Sequence, residues 1–535
     1  MKLKQLIFLL TLFSIGFVSC KKKEVPPTPT PPTTNRANLT RDSIFLYAKQ
    51  VYLWSEALPT VEVFNPGKYT TASTDFLNYE QELIALSQYK INPATGRAYE
   101  YYLNGTDAKY SYISDIANKN PTAYIPEKKS AVDLEGNGND FGIKLGAYGQ
   151  DDIGQAFALF ITAVYQNSPA DKAGVIRSDR IYKINDRTIG ASYPNDQAFI
   201  NTAFSGTTIK IEGVNYTNGL AGAAYTKTLT KAVYKSSPVF AKKVFTAGGK
   251  KIGYFSYARF SNLNANSKAD FDAAFAEFNT AGVTDLIIDL RYNGGGYVNT
   301  AQYLINQIAP SSASGKVMFA EHYNALMQAN GAAILTNQPL LDANKKVQFQ
   351  NGRMITYADI NYSVASNTEF FAKTGPLNTG NTISQVVFIV SGSTASASEL
   401  VINSLKPFMN VKIVGAKTFG KPVGFFPITI ENKYEVYYSL FQTKNSLGQG
   451  DYFDGMVPDV VDTFDDPRNN FGDANEHYTA VALNVIAPGA IVTSAPKTMS
   501  IQGKNVTVQS LKPLSPIVDG NEFVGMIETR HTLKK

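Results

Sequence analysis

Residues Gln385–Phe426, QVVFIVSGSTASASELVINSLKPFMNVKIVGAKTFGKPVGFF, constrain the fold more than any other stretch. Val386 to Val390 is a short apolar run of β-branched and aromatic residues, the composition of a strand buried on both faces. A Ser/Thr/Gly loop follows, then a helix expected over about Ser398 to Phe408. Val411 to Val414 is a second strand, and the loop after it ends in Gly420-Lys421. Strand, helix and strand in this order are the unit of a parallel α/β sheet. Chemistry in such sheets gathers outside the carboxyl ends of the strands. Ser396 and Lys421 both fall just past such an end.

A serine becomes a nucleophile only when a base takes its proton, and the resulting oxyanion must be met by fixed donors. Ser396 stands at the N-terminal edge of the helix, where free N–H groups and the helix dipole favour negative charge. The Ala397 N–H is one expected donor. Ser396-x-x-Glu399 is also a capping box, and on that stretch alone capping is the simpler explanation. Lys421 shifts the balance. A lysine serves as a base only where burial pushes its pKa toward neutrality, and Phe419, Pro422, Val423, Phe425 and Phe426 surround this one in sequence. Lys412 and Lys417 lie in ordinary polar surroundings.

Upstream, Asp285-Leu-Ile-Ile-Asp-Leu-Arg291 reads as a buried strand running into Tyr-Asn-Gly-Gly-Gly296, with a helix over Asn299 to Ile308. Glycines at a strand-to-helix turn let backbone approach a ligand and present N–H donors. Ser168 to Ile189, SPADKAGVIRSDRIYKINDRTI, follows the strands Asp140 to Leu145 and Phe157 to Val164 and resembles the PDZ domains of bacterial proteases. The resemblance makes Phe141-Gly142-Ile143 the loop that would receive a peptide's terminal carboxylate on backbone N–H groups.

STASASE, then FGK with its lysine 25 residues after Ser396, together with DLRYNGGG upstream, resembles the C-terminal processing (tail-specific) serine peptidases over roughly residues 132 to 490. The resemblance implies an α/β fold: a ClpP/crotonase-like catalytic core with an inserted β-rich PDZ domain. Ahead of them, Ile44, Tyr47, Ala48, Val51 and Trp54, then Phe76, Tyr79, Leu83 and Leu86, are apolar stripes at helical spacing and read as a small helical N-terminal domain. The resemblance also implies Ser396 as nucleophile, Lys421 as general base, and the backbone of Ala397 and Gly295 as the oxyanion hole. The chain departs from the family pattern at Pro422 and Phe425, where glycine and a lysine-orienting glutamine are usual. Thr394 replaces the first serine of the string. The expected function is hydrolysis of peptide bonds in extracytoplasmic proteins, with unstructured or nonpolar C-terminal tails selected through the PDZ domain. The alternative is a catalytically impaired, PDZ-bearing peptide-binding lipoprotein.

The remaining sequence bounds these readings. A chain of 535 residues exceeds one ordinary core. Five lysines less Glu24 in the first 24 residues carry +4 of the formal +6, so the body is nearly neutral and nucleic acid is not an expected partner. The three histidines, His322, His477 and His531, have no metal-ligand neighbour at a useful spacing, so neither a metal site nor a cofactor is expected. Gly415 to Lys421 fits the first seven positions of a Walker loop, but Pro422 occupies the magnesium-binding position and a strand follows where a helix is required.

Residues 1–20 read as a lipoprotein signal, with an apolar run ending at the sole cysteine, Cys20, in a Phe-Val-Ser-Cys string resembling a lipobox. Lipidated Cys20 would anchor the protein at the membrane of the bacterial cell envelope. The expected divisions continue with a Pro/Thr/Lys-rich tether (21–37), an N-terminal helical domain (38–131), the PDZ domain and connection (132–235), the catalytic domain (236–490) and a β-rich extension of unknown role (491–535). The expected partners are protein or peptide substrates with a free C-terminus, and the lipid anchor.

Overall fold

The computed structural model describes residues 35–116, 132–149, 156–342, 346–373 and 383–490, and parts of 498–534. Cys20, the signal and most of the tether lie outside the described residues.

The chain opens with α1 (Arg36–Val51) and α2 (Asp75–Ser87), each capped by a side chain, Asn35 and Thr74. β1 (Tyr112–Asp115) then pairs antiparallel with residues 434–437. Ile44, Phe45, Val51 and Leu83 share one buried cluster with Val423, Phe425, Phe426 and Phe441. The N-terminal helical region is therefore not a body of its own, as the sequence suggested. Its apolar stripes are completed by strands more than 300 residues later.

The PDZ region is a sheet of β2 (Ile143–Gly149), β3 (Phe157–Val164), β4 (Arg180–Ile184), β5 (Thr208–Thr217) and β6 (Leu220–Thr230), covered by α3 (Tyr193–Ser205). Its own core, including Phe141, Ile143, Ile161, Ile184 and Ile200, is closed by alternating inward residues of these strands.

The catalytic region begins with the hairpin β7 (Val239–Ala247) and β8 (Lys250–Tyr257). Four parallel pairings extend the sheet, in order, through β9 (Asp285–Asp289), β10 (Gln385–Val390), β11 (Asn410–Gly415) and β12 (Val460–Val461). Leu286, Ile288, Val386, Phe388 and Val390 point to one face, covered by α4 (Lys268–Thr280), α5 (Val298–Ile308) and α6 (Ala397–Leu405). Ile287, Val387 and Ile389 point to the other, covered by α7 (His477–Ile486). Both faces are buried, which is why these strands read as continuous apolar runs. The expected strand-helix-strand order is thus present, and it places the ends of β9, β10 and β11 side by side.

Candidate active site

Ser396 follows β10, Lys421 follows β11, and the Asn293–Gly296 turn follows β9, so the carboxyl ends of three adjacent strands converge. Ser396 has φ +59° and ψ −110°, a conformation that costs a non-glycine residue on the order of 1–3 kcal/mol. That strain sets the serine at the apex of the turn into α6. Its N–H donates to Glu399 Oε2 at 2.8 Å, one half of the capping box. Its Oγ faces the Glu399 N–H without regular hydrogen-bond geometry and has no other partner among the described residues. The backbone of Ser396 is thus capped, while its hydroxyl makes no regular hydrogen bond.

Glu399 is the organising group. Its Oε2 also accepts the Lys421 N–H at 2.8 Å, while Oε1 accepts from Gly420 N–H at 2.8 Å and Thr418 Oγ1 at 2.5 Å. The backbones of Ser396 and Lys421 thus meet on a single oxygen, their nitrogens separated by no more than twice 2.8 Å. Burial raises the Glu399 pKa, and these four donors oppose the rise.

Lys421 is 1 % exposed. Burial pushes its pKa down to about 7, against the pull of Glu100 and Glu399. Its Nζ donates to the carbonyls of Val524 at 2.9 Å and Tyr110 at 3.3 Å, and lies 4.6 Å from the centre of the Phe425 ring. Two carbonyls and an aromatic face therefore hold the lysine where a glutamine was missing from the sequence. None of these is a carboxylate, so the charges of Glu100 and Glu399 act on the ammonium only from a distance and burial outweighs them.

Tyr110 sits in a stretch that carried little sequence signal. Its OH donates to the Gly420 carbonyl at 2.6 Å and its N–H to Glu100 at 3.1 Å. Glu100 is fully buried and accepts in addition from Tyr52, Ser111 and Ser439. The N-terminal region thus forms one wall of the site, a role that no local motif signals.

The two expected oxyanion donors are placed differently. The Ala397 N–H opens α6 and has no acceptor within the helix. The Gly295 N–H donates to Asn293 Oδ1 at 2.9 Å, so in this state it is already bonded. Gly295 has φ +112°, and a Cβ there would stand 3.0 Å from the Ala397 nitrogen, so the two amides do lie on one small surface. Asn293 fixes the turn further: its carbonyl accepts from Ala395 N–H at 3.1 Å and Ser398 Oγ at 3.0 Å.

In the PDZ region, the Phe141–Ile143 loop is folded inward. Gly142, at φ +76°, has room for no Cβ, since one would lie 2.0 Å from Ser168 Cβ. Its N–H, expected to receive a peptide carboxylate, donates instead to Asp140 Oδ1 at 2.7 Å, an oxygen that also accepts from Tyr234 OH. Phe141 and Ile143 are buried in the domain core.

A second cluster ties the PDZ domain to the catalytic region. Arg177 donates to Thr162 O at 2.7 Å, Asp465 Oδ1 at 2.6 Å and Asn469 O at 3.1 Å. Arg291, two residues before Asn293, reaches Asp289, Asp465 and Glu476 at 2.6–3.1 Å. Burial alone would raise the Asp465 and Glu476 pKa values, but the two guanidinium groups hold both below the ordinary carboxylate range. The histidines stand elsewhere: His477 pairs with Asp462 at 2.6 Å, and His531 packs on Tyr357 and Phe426. Among the described residues, no group of three or more His, Cys, Asp or Glu side chains is arranged to hold a metal ion.

The strained Ser396 and the buried Lys421 are thus brought together, through Glu399, at the ends of adjacent parallel strands. Residues 251–461 match peptidase family S41, and residues 160–209 match a PDZ domain. The chain is 24 % identical over 307 residues to the carboxy-terminal processing protease CtpB of Bacillus subtilis, covering 57 % of this chain and 52 % of the relative. It is 24 % identical over 265 residues to a carboxyl-terminal-processing protease of Synechocystis, covering 49 % of each. The chain thus spans about half the length of the curated relatives it matches. A crystal structure of an S41 protease from Bacteroides fragilis shares the fold, with a TM-score of 0.53 and 20 % identity over 83 % of this chain and 96 % of that one.

Proposed function

We propose that the protein is a serine endopeptidase in which Ser396 is the nucleophile and Lys421 the general base, on a ClpP/crotonase-like core. One observation carries this reading: Lys421 is buried without a carboxylate partner on its Nζ, which pushes its pKa down to about 7, while Glu399 binds its backbone and that of Ser396 on one oxygen. Neutral Lys421 takes the Ser396 Oγ proton as the oxygen attacks the substrate carbonyl. The oxyanion forms beside the Ala397 N–H. The lysine returns the proton to the leaving amine, and then activates the water that releases the acyl group. Gly295 becomes a second donor once its N–H leaves Asn293.

The substrates we propose are extracytoplasmic proteins with unstructured or nonpolar C-terminal tails, read by the PDZ domain. Asp140 already supplies a carboxylate to the Gly142 N–H, and an incoming peptide terminus would displace it. We place the protein in the bacterial cell envelope, anchored through lipidated Cys20. Cys20→Ser should release it from the membrane fraction, or leave it as unprocessed precursor. Mature protein that stays membrane-bound without acyl label would refute the anchor.

The deciding experiment is cleavage of unstructured peptides, mapped by mass spectrometry, by wild type, Ser396→Ala and Lys421→Ala. Each substitution should lower the rate on the order of 10³-fold or more while the fold survives. Cleavage by either variant within about tenfold of wild type would overturn the assignment. A peptide-binding protein on an impaired peptidase fold predicts binding without cleavage in all three.

A further inference from the structure

Ser396 is 0 % exposed and Lys421 1 %, so no substrate reaches either in this state. Residues 524–528 of the chain's own C-terminal extension lie across the site. Gly525–Ile527 lies parallel to Gly295–Tyr297, and the Gly525 N–H donates to the Gly294 carbonyl at 3.0 Å. On its other edge, Phe425 N–H donates to Met526 O at 3.0 Å and Glu528 N–H to Phe425 O at 3.1 Å. The segment is therefore a strand inserted between the oxyanion turn and the residues that follow the base. Its Val524 carbonyl accepts a hydrogen bond from Lys421 Nζ at 2.9 Å. Its Gly525 carbonyl lies against Gly295, 2.4 Å from where a Cβ would stand. Met526 is buried in the same cluster as Ala397 and Leu400.

The same extension also lies on the PDZ domain. Lys512 and Pro513 pair antiparallel with Gly149 and Tyr148, and Leu514 N–H donates to Ala147 O at 2.8 Å. These three residues sit on β2, the strand leading out of the Phe141–Ile143 loop, and the chain runs toward that loop. A peptide adding to this edge with its C-terminus at the loop would run the same way.

We infer that the extension is a built-in pseudosubstrate: residues 512–514 and 524–528 occupy the edge of the PDZ sheet and the catalytic groove, and the full chain is latent until this strand leaves. The inference rests on the peptidase reading above for its consequence, though not for the occupancy. Strand addition through main-chain bonds is how an extended peptide binds without a fixed sequence. An occupant covalently linked to the enzyme competes at an effective concentration in the millimolar range, enough to outcompete dilute substrate. The groove so defined takes an extended chain with a small residue where Gly525 lies and an apolar, unbranched one where Met526 lies.

The test uses the full chain with Gly525→Pro, which removes the donor to Gly294, and separately Met526→Asp, which places a charge in the apolar pocket. Each should raise hydrolysis of an unstructured peptide at least tenfold. A synthetic peptide of residues 521–535 should bind these variants, not the wild type, and suppress the gained activity. Equal rates in an active wild type and the variants, or failure of the peptide to bind the variants, would overturn the inference. Hydrolysis by none of the proteins, with peptide binding confined to the variants, would uphold the occupied groove and refute the peptidase reading instead. Hydrogen exchange on the wild type needs no variant: residues 525–528 should exchange through a local opening, much faster than 285–289. Exchange of both only through global unfolding would make the strand a permanent part of the core and sink the proposal.

Discussion

Two buried basic centres in this protein are treated in opposite ways. Arg177 and Arg291 are surrounded by Asp289, Asp465 and Glu476, and their pKa values are held well above the ordinary arginine value despite burial. Lys421 is buried as deeply, but its Nζ meets only carbonyls and an aromatic ring, with its two neighbouring carboxylates spent on other donors. A buried cation with matched anions stays charged and joins segments; one without them gives up its proton. The first centre holds the PDZ domain to the strand that carries the Asn293–Gly296 turn. The second is the group proposed as the base. The difference lies in where the carboxylates point, not in how deeply the cations are buried.

The largest effect that could break this comparison is on activity. Lys421→Arg keeps the charge but cannot deprotonate, so peptide cleavage should fall on the order of 10³-fold or more. Substantial activity in this variant would mean that the residue does not act as a base. Arg291→Met removes one cation and leaves Glu476 and Asp465 underpaired, which should cost about 3–5 kcal/mol in denaturant unfolding. A loss below about 1 kcal/mol would show that the cluster does not hold the domains together.

A third experiment sharpens the contrast through pH. Activity should rise with pH through about 7 as Lys421 deprotonates, and fall below it. Asp465 and Glu476 have folded values below their unfolded ones, so their stabilisation is present above about pH 4 and is lost only as pH falls through the depressed values. Between pH 5 and 6 the protein should therefore be inactive but folded, checked by rate and circular dichroism on the same samples. Loss of both together would refute the separation of the two centres. The PDZ reading predicts that a nonpolar-tailed peptide is cut roughly 10- to 150-fold better than its C-terminally amidated twin. Equal rates would remove the tail-reading role of Phe141, Gly142 and Ile143.

The smallest expected effect has the opposite sign from Arg291→Met. Lys421 has a folded value below its unfolded one, so between about 7 and 10.5 the unfolded chain holds the extra proton, and stability rises with pH across that window. Lys421→Met removes this penalty and should raise stability at pH 7, less the loss of the two hydrogen bonds from Nζ, while abolishing activity. A marked loss of stability would show that the lysine is structural.

Much of the site was legible because its residues are local. The strand-loop-helix-strand pattern of 385–426 required only hydrophobic periodicity and turn residues, and these suffice to put Ser396 and Lys421 at strand ends. The PDZ string and the glycine turn were readable for the same reason. Phe425 in place of glutamine left the lysine's support open, and the answer came from residues that no window around Lys421 contains: Tyr110, more than 300 positions earlier, and Val524, about 100 later.

Periodicity, turn chemistry and spacing by themselves determined the parallel α/β unit and the placing of Ser396 and Lys421 at strand ends, because each depends on residues within one or two elements. Tertiary structure alone decided that the N-terminal helices share a core with the strands after Lys421, since apolar stripes declare that they must be covered but not by what. It alone decided which carboxylates pair with which cations, because a side chain's partners are set by packing rather than by sequence distance. It also placed the C-terminal strand in the groove. A short extended segment carries almost no pattern of its own, and its partner edges, Gly295–Tyr297 and Phe425, come together only in the folded chain.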